Sequence, residues 1–479
     1  MERRVLFLNP PSYEGFDGGA GSRYQAKREV RSFWYPTWLA QAAALCPNSK
    51  LLDAPVEDMN VEDTVAAANG FDVLILYTSA PGFRNDAGLV KRLRQTYPAM
   101  LMGMVGPHCT ALPEDTLLGC SSLDFVAKGE FDYSVADIAK GKPLSKVEGI
   151  AFSRNNRIIH NEDRAPMEDL DALPSVLDVY KRDLNIKKYF IGYLLHPYLS
   201  FYTGRGCPGR CTFCLWPQTI GGRRYRTRTP GSVLDEMRRA KDMFPEVKEF
   251  FFDDDTFTAK LDRVEEIARG LKNLDITWSS STRANVPEKT LRIMKESGLR
   301  CLMVGIESGS DKILKNIKKG ITTSQARRFM RICRDLKIST HATFVLGLPG
   351  ETKDTIKQTI SFVKELDPET IQVSIASPYP GTELYEQALK SGWFVESDLV
   401  SCSGVQQVSL EYEDLTGQEI YDAVETLYNK FYFRPRPIIR ILGTMIRDKE
   451  ICKRRLREAK EFFGFMRDRK RTGTGSLSQ

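Results

Sequence analysis

The stretch GRGCPGRCTFCLWP, residues 204–217, contains three cysteines within eight positions. Cys207, Cys211 and Cys214 are spaced four and then three residues apart. Each thiolate can ligate one iron of a cubane cluster, which leaves the fourth iron open to a small molecule. Structural zinc is the alternative, but it prefers four closed ligands, and the nearest further histidine and cysteine lack the paired spacing of a zinc knuckle. The pattern therefore favours an iron–sulfur cluster.

The cysteine stretch follows the first of six strand-like segments that alternate with helix-like segments. The predicted strands are residues 199–204, 249–254, 276–281, 300–306, 341–347 and 370–376. Helices are predicted between them at 230–243, 261–272, 287–297, 323–336 and 352–365. Six such units predict a partial (β/α)6 TIM-type barrel, since a closed barrel needs eight. Functional side chains are then expected at the carboxyl ends of the strands.

A second block of short apolar runs precedes the barrel. The runs at 4–11, 71–79, 101–108 and 124–130 alternate with helical patterns such as 85–97, which predicts a doubly wound, Rossmann-like α/β domain. A hairpin is predicted at 147–161. We divide the chain into a first domain (1–145), a hairpin and linker (146–192), the barrel (193–395) and a basic helical C-terminal extension (396–479).

Charge is distributed unevenly along the 479 residues, whose formal net charge is +7. Residues 434–471 contain 14 Lys and Arg against 5 Asp and Glu. A solvated basic helix, a contact with a membrane surface or acidic partner, and, least favoured, nucleic-acid binding all fit this surplus. No apolar run reaches the roughly 18 residues of a membrane span. We expect a cytoplasmic protein whose cysteines are free, metal-bound or catalytic.

The Cys-x3-Cys-x2-Cys motif, with Phe213 before its last cysteine, resembles that of the radical S-adenosylmethionine family. The resemblance extends over the whole six-strand block. It implies a [4Fe-4S] cluster on Cys207, Cys211 and Cys214, with Phe213 beside the cofactors, and S-adenosylmethionine on the open iron. It also implies an electron donor of the flavodoxin or ferredoxin type.

The family resemblance assigns further cofactor-binding residues at other strand ends. Asp253, Asp254 and Asp255 stand where the family holds the methionine amino group, and the Asp-Asp-x-x-Phe pattern through Phe257 is similar to that of the cobalamin-dependent branch. A solvated loop or a divalent-cation site is the alternative for this triple acid.

Four more positions complete the expected S-adenosylmethionine site. Ser281 and Arg283 resemble the residues that meet the methionine carboxylate or the ribose, and a guanidinium pairs with a carboxylate in bidentate fashion. Glu307 resembles the family's acid at the fourth strand, with a helix-capping or salt-bridging acid as the alternative. Gly347 permits a close backbone approach to the adenine. The sequence identifies no catalytic residue beyond these.

The first domain resembles the cobalamin-binding domain of the same branch, in residues 9–11 and 105–114. Thr78, Ser79, Gly106 and His108 lie at predicted strand ends, where we expect them to bind cobalamin. The Asp-x-His-x-x-Gly motif of proteins with a lower histidine ligand is absent, so no lower ligand is assigned. A domain that has kept its shape without the cofactor is the alternative.

Residues 10–41 resemble hopanoid-biosynthesis-associated radical S-adenosylmethionine proteins of the HpnJ type, and the likeness runs along the chain. It implies a hopanoid lipid substrate, whose amino-sugar ring on glycosylated bacteriohopanetetrol is contracted to a cyclitol ether. The alternatives are a cobalamin-dependent methyltransferase acting on unactivated carbon and a radical enzyme that modifies transfer RNA. Contacts with a sugar or a cofactor are expected from Gly18, Gly19, Gly21, Arg23, Arg28, Arg31, Trp34 and Tyr35. The alternative is that the aromatic residues only hold this loop against the first domain.

The C-terminal extension interleaves apolar side chains with Lys and Arg between residues 437 and 466. Such a helix can lie in the interface of an anionic bilayer. We therefore expect peripheral contact with the inner face of the membrane, with packing of the apolar residues on the barrel as the alternative.

Overall fold

The chain is built around two mainly parallel sheets in a computed structural model. The structure describes residues 2–11, 30–155, 157–395, 398–401, 404–447 and 449–475. The first sheet has the order β2-β1-β3-β4-β5-β6-β7. Its strands are β1 (Val5–Asn9), β2 (Ser49–Asp53), β3 (Val73–Tyr77), β4 (Leu101–Val105), β5 (Phe125–Ala127), β6 (Ile150–Arg154) and β7 (Arg157–His160). Strands β1 to β5 are parallel, and the hairpin β6–β7 extends the sheet in antiparallel pairing.

Helices cover both faces of this first sheet. They are α1 (Thr37–Ala44), α2 (Ala54–Glu57), α3 (Val61–Ala67), α4 (Phe83–Thr96), α5 (Pro107–Ala111), α6 (Pro113–Gly119), α7 (Asp132–Ala139) and α8 (Leu177–Asp183). Successive residues of β1 point into two different cores, Val5 and Phe7 into one and Leu6 and Leu8 into the other. Burial on both faces is the reason that the strand is apolar throughout. The predicted doubly wound domain is confirmed.

The second sheet contains the six predicted barrel strands, all parallel, in the order β8-β11-β12-β13-β14-β15. With the short hairpin β9–β10, its strands are β8 (Tyr198–Phe201), β9 (Gly204–Arg205), β10 (Arg226–Thr227), β11 (Glu249–Phe252), β12 (Trp278–Thr282), β13 (Leu299–Glu307), β14 (Ser339–Leu346) and β15 (Thr370–Ile375). The order ends at β8 and β15, so the barrel is partial, as predicted.

Several of the barrel helices start at a threonine cap: the hydroxyls of Thr229, Thr322 and Thr352 accept hydrogen bonds from the third helical N–H. The helices are α9 (Trp216–Thr219), α10 (Pro230–Met243), α11 (Leu261–Lys272), α12 (Glu288–Glu296), α13 (Asp311–Asn316), α14 (Thr323–Asp335), α15 (Lys353–Leu366) and α16 (Glu383–Ser391).

The C-terminal extension is helical, as predicted, and consists of α17 (Gly417–Tyr432), α18 (Pro435–Arg447) and α19 (Lys449–Gly475). Helix α17 covers the edge strand β15, whose Val373 N–H donates to the Tyr428 hydroxyl at 2.8 Å. A covered edge strand cannot pair with another chain. Within the described residues, no helix is both long and apolar enough to cross a membrane.

A buried ion pair joins the two sheets at their carboxyl edges. The Arg205 guanidinium, just after β8, donates to both carboxylate oxygens of Asp132 at 2.8 and 2.9 Å and lies 4.5 Å from the Trp38 ring centroid. Trp38 of the first unit in turn stacks on Trp216 of the barrel at 5.3 Å. The carboxyl edges of the two sheets therefore face each other.

Part of the segment expected to contact a sugar is packed away. Tyr35 stacks on Tyr189 at 4.0 Å and donates to the Tyr198 carbonyl at 2.8 Å, and Trp34 is buried. The expectation that these two aromatics bind a ligand is therefore wrong, because they pin the segment to the core. Gly18, Gly19, Gly21, Arg23 and Arg28 lie outside the described residues.

Candidate active site

The three cysteines lie in one loop that leaves the barrel hairpin at its carboxyl edge. Gly206 has φ +88°, and a Cβ there would be 2.4 Å from the Arg224 carbonyl oxygen, so only glycine fits this turn. The Gly209 N–H donates to the Cys207 sulfur at 3.4 Å. Burial raises the pKa of Cys207 and of Cys214, and the neighbouring Cys211 thiol raises both further.

The thiols fit a cluster better than a single metal ion. In the part of the chain that the structure describes, no three His, Cys, Asp or Glu side chains converge closely enough to hold one ion. Each of three irons in a cubane cluster binds a different thiolate, so the three sulfurs do not have to meet at one point as they would around a single ion. Three thiols in one loop therefore suit the predicted [4Fe-4S] cluster.

Arg283 connects the cysteine loop to a buried ion pair. Its guanidinium lies 3.9 Å from the Cys211 sulfur and donates to the Lys319 carbonyl. The Lys319 ammonium donates to Glu307 at 2.7 Å, and both side chains are less than a tenth exposed. The nearby Glu307 carboxylate raises the pKa of Lys319 although burial opposes this. Two cations and one carboxylate thus lie beside the cluster loop.

Lys319 is the functional candidate that sequence reasoning missed. It is one of two adjacent lysines, and Lys318 points outward to Glu383, with half of its side chain exposed. Glu307 itself has a left-handed backbone with φ +71°, at an irregularity in the pairing of β13 with β14. The sequence of two adjacent lysines does not show which side chain is buried, so only the fold identifies Lys319 as the buried cation.

The three consecutive aspartates point in different directions. Asp254 is fully buried and accepts from the Thr203 N–H at 2.6 Å, the Thr203 hydroxyl at 2.7 Å and the Tyr225 hydroxyl at 2.5 Å. The expectation that it holds the methionine amino group is therefore wrong, because its carboxylate is committed to the barrel. Asp255 lies near the cluster loop, since its charge raises the pKa of Cys207 and Cys214. Asp253 is buried and raises the pKa of Tyr180 and Tyr198.

Ser281 and Gly347 lie at the same edge of the barrel as the cysteine loop. The buried Ser281 hydroxyl has no hydrogen-bond partner within the described residues. Gly347 has φ +81°, and its N–H donates to Glu351, whose pKa burial raises to about 8. Its carbonyl accepts from the Tyr412 hydroxyl at 2.8 Å. A Cβ on Gly347 would lie 3.1 Å from the Ile420 side chain of α17, so the close approach that this glycine permits is to α17, and the expected contact with adenine stays a prediction.

Phe213 is partly buried and packs against the apolar cluster that contains Ile313 and Leu314. The neighbouring Thr212 N–H donates to the Ile317 carbonyl at 3.1 Å. The aromatic ring thus fixes the cysteine loop to helix α13.

The first domain presents a second polar edge opposite the barrel. Strand order reverses between β1 and β3, which is where doubly wound sheets bind ligands. Thr78 and Ser79 lie there, but both are buried, and the Thr78 hydroxyl donates to Asp86 at 2.6 Å. The Thr78 side chain is therefore used inside the domain and is not a free contact for a cofactor.

His108 and Gly106 belong to the next loop of this edge. Gly106 has φ +119°, and a Cβ there would lie 2.3 Å from the Thr78 carbonyl oxygen. The His108 ring stacks on Phe83 at 4.5 Å, and neither ring nitrogen has a hydrogen-bond partner within the described residues. Burial lowers the pKa of His108 to about 4, so the imidazole is neutral.

Helix α5, which carries His108, reaches the barrel. A Cβ on Gly381, after β15, would lie 2.9 Å from the Ala111 methyl carbon and 3.0 Å from Thr219 of α9. Helix α9 directly follows the cysteine loop. An orphaned buried imidazole at this junction fits a large ligand held between the two edges, as a corrinoid would be.

Comparison with known proteins supports this arrangement. The model of the Radical SAM superfamily matches residues 201–363. An uncharacterized methyltransferase of Pyrococcus horikoshii is 31% identical over 457 residues, 91% of this chain and 94% of the relative. An anaerobic magnesium-protoporphyrin IX monomethyl ester cyclase of Cereibacter sphaeroides is 24% identical over 453 residues, 90% of this chain and 70% of the relative.

Among solved structures, the radical S-adenosylmethionine methyltransferase TsrM from Kitasatospora setae, solved with cobalamin and a [4Fe-4S] cluster bound, has the same two-part fold. Its TM-score is 0.68 at 15% identity, and the match covers 96% of this chain and 99% of that one. At that identity the likeness concerns the fold alone.

Proposed function

Since the chain belongs to the radical S-adenosylmethionine superfamily, we propose that it is a corrinoid-dependent enzyme that methylates an unactivated carbon. The cluster would supply the electron that cleaves one S-adenosylmethionine to methionine and a 5′-deoxyadenosyl radical, which would take a hydrogen atom from the substrate carbon. The corrinoid would supply the methyl group, taken from a second S-adenosylmethionine that leaves as S-adenosylhomocysteine. An electron donor of the flavodoxin or ferredoxin type would return both cofactors to their reduced state. The substrate would lie between the two carboxyl edges, one of which carries the cysteine loop and the other His108.

The residues of the barrel edge would bind and orient S-adenosylmethionine. Arg283 and Lys319 place two positive charges beside the cysteine loop, where they would neutralise the methionine carboxylate. Glu307 holds Lys319 in place, and the unpartnered Ser281 hydroxyl is free to bind a ribose or carboxylate oxygen. The turn at Gly347 would accept the adenine against its backbone.

The single observation that carries the corrinoid part of the proposal is that the ring nitrogens of His108 have no hydrogen-bond partner within the described residues. A buried polar group left without a partner costs about 1–3 kcal/mol. A domain that had kept only its shape would have no reason to retain such an imidazole at the edge facing the barrel. The His108 ring is neutral and its two buried nitrogens have no partner within the described residues, so a bound corrinoid would supply the hydrogen bond that they lack.

A second candidate is the contraction of the amino-sugar ring of a glycosylated hopanoid. One support is the sequence likeness of residues 10–41 to hopanoid-associated proteins. Another is that one relative is a cyclase by name, which means that the relatives of this chain are not confined to methyl transfer. In this reaction the radical would rearrange the sugar ring without a transferred methyl group. Modification of transfer RNA remains a third class, which steeply salt-dependent RNA binding would support.

Anaerobic incubation of reconstituted protein with S-adenosylmethionine, a reductant and lipid extract tests the proposal. Methyl transfer predicts both 5′-deoxyadenosine and S-adenosylhomocysteine together with a methylated product, and activity that needs added cobalamin. Ring contraction predicts 5′-deoxyadenosine without S-adenosylhomocysteine and a product of unchanged carbon count. Protein prepared with ample cobalamin should show a corrinoid absorption spectrum that changes in His108→Ala. A colourless protein that is active without cobalamin would refute the corrinoid proposal.

A further inference from the structure

The exposed apolar side chains of the molecule are concentrated in the C-terminal helices. Among the residues that the structure describes, eleven large hydrophobic side chains are exposed, and seven of them belong to residues 433–463. The most exposed of these seven are Ile446 at 86% and Ile439 at 68%, both on helix α18. Scattered exposed leucines are ordinary, but a contiguous apolar patch marks an interaction surface.

Helix α18 presents these side chains on one face. Ile438, Ile439, Leu442 and Ile446 follow the helical repeat and are all exposed, whereas Arg440 between them turns back toward Glu369 of the barrel. Phe463 of α19, which is 56% exposed, lines the same cavity as Ile438 and Leu442 and extends this surface, and Leu456, which is 59% exposed, lies two turns before it on α19. The patch is therefore built from two helices and is not a frayed end.

A basic cavity adjoins this apolar surface. An apolar cavity of about 360 Å³ lies beneath α18, between Ile441, Phe462 and the starts of β14 and β15. It shares Tyr193 and Arg455 with a larger cavity that is lined by nine Lys and Arg side chains and only two carboxylates, Asp58 and Glu369. Some of the cations are paired elsewhere, but Lys187 and Lys248 are exposed at its rim.

We propose that α18 and the exposed face of α19 dock the protein on an anionic lipid bilayer. The isoleucine, leucine and phenylalanine side chains would enter the interfacial region, and the neighbouring cations would bind headgroup phosphates. A second copy of the chain fits less well, because a two-fold interface would bring this positive surface against itself. Charge complementarity therefore selects the anionic bilayer.

The proposal is independent of the reaction, because the surface lies at the amino-terminal edge of the barrel sheet. His341 and Thr370, which line the apolar cavity, are at the starts of β14 and β15, while the cysteine loop is at the opposite edge. Docking would hold the enzyme at a membrane without placing the cluster loop in it. Failure of docking would leave the proposed chemistry untouched.

Co-sedimentation of the full chain with vesicles tests the docking. Vesicles of phosphatidylcholine with one third phosphatidylglycerol should bind the protein, and pure phosphatidylcholine should bind it much less. Binding should weaken between about 0.1 M and about 1 M salt, because the Debye length falls from about 10 to about 3 Å. Equal binding to neutral and anionic vesicles, or no binding by folded and active protein, would overturn the proposal.

Two pairs of variants separate the apolar and the charged contributions. Ile439→Ser with Ile446→Ser should lower the partition coefficient about 100-fold or more, since both apolar side chains leave the interfacial region. Leu118→Ser with Leu389→Ser removes two exposed leucines elsewhere and should change nothing. Arg436→Glu with Lys460→Glu should lower binding about fivefold or more for each charge, whereas Lys272→Glu with Lys390→Glu should not.

The remaining outcomes also decide the question. All four double variants should keep the circular dichroism spectrum and the S-adenosylmethionine cleavage of the parent protein. If the isoleucine pair binds vesicles as well as the parent, the patch is not the docking surface. If the parent forms a dimer that the isoleucine pair abolishes and neither binds vesicles, the surface belongs to a second copy of the chain.

Discussion

The two carboxyl edges that face each other differ in how their polar groups are used. The barrel edge holds fixed charges beside the cysteine loop: Arg283, Lys319 and Glu307. The part of the first domain's edge that follows β3 and β4 is neutral: Thr78 is turned inward to Asp86, and the uncharged His108 ring has no hydrogen-bond partner within the described residues. Fixed cations suit a zwitterionic cosubstrate, while a neutral edge suits a large group that is held by packing and a few hydrogen bonds. Under the proposed function, the same strand-end geometry would thus serve two chemistries.

Removing the thiols should have the largest effect, because it deletes the centre of the barrel edge. Cys207→Ala, Cys211→Ala and Cys214→Ala should each abolish S-adenosylmethionine cleavage and lower the iron content from about four per chain. Cys301→Ala and Cys333→Ala are the matched controls, since these cysteines are buried in β13 and α14 away from the loop. Iron analysis and product chromatography after anaerobic reconstitution measure both. Stoichiometric zinc and an inactive wild type would contradict the cluster.

Separating the two edges should have the next largest effect. Arg205→Met leaves the Asp132 carboxylate buried without its cation and should lower the free energy of unfolding by about 3–5 kcal/mol. Arg239→Met breaks an exposed pair with Asp178 and should cost less than about 1 kcal/mol. Adding Asp132→Leu to Arg205→Met should recover part of the loss. Urea denaturation measures all three, and equal losses for Arg205→Met and Arg239→Met would refute the joining role.

Lys319 tests whether the charges of the barrel edge serve binding or only the fold. Lys319→Met should weaken S-adenosylmethionine binding about 10- to 100-fold, since hydrogen bonds to charged groups contribute about 1.5–3 kcal/mol. Lys318→Met is the matched control, because that neighbouring ammonium points outward to Glu383. Isothermal titration measures both affinities.

The double variant Glu307→Gln with Lys319→Met separates the two roles of this pair. It should regain stability, since no buried carboxylate is left unpaired, but it should not regain affinity. Recovery of both would make the ion pair purely structural.

The sequence sufficed for the elements that have a strong local signal. All six barrel strands and the five helices placed between them were predicted, because most of the strands are short apolar runs and four of the five helices begin at a proline or threonine. Strand β2 was missed because its first two residues, Ser49 and Lys50, are not buried. The aspartate triplet and Lys319 could not be resolved, since neighbouring identical residues differ only in the direction that tertiary packing gives them.

The smallest expected effect concerns the neutral edge and its pH dependence. Burial raises the pKa of Asp86 to about 7, whereas the unfolded chain has the ordinary value of 3.8. The folded protein therefore holds a proton there that the unfolded chain has lost, and this stabilisation disappears as pH rises through about 7. Between about pH 6.5 and about pH 8 the stability of the wild type should fall by about 1 kcal/mol relative to Asp86→Asn, which cannot titrate. Titration of His108 does not contribute in this range, because burial lowers its pKa from 6.5 to about 4 and it therefore changes the stability only below about pH 6.5.

The matched control is Asp242→Asn, at an exposed position near the end of α10, whose stability should change with pH as that of the wild type does. If Asp86→Asn also tracks the wild type, then Asp86 is charged in the folded protein and the first edge is not neutral, so the contrast between the two edges would no longer hold.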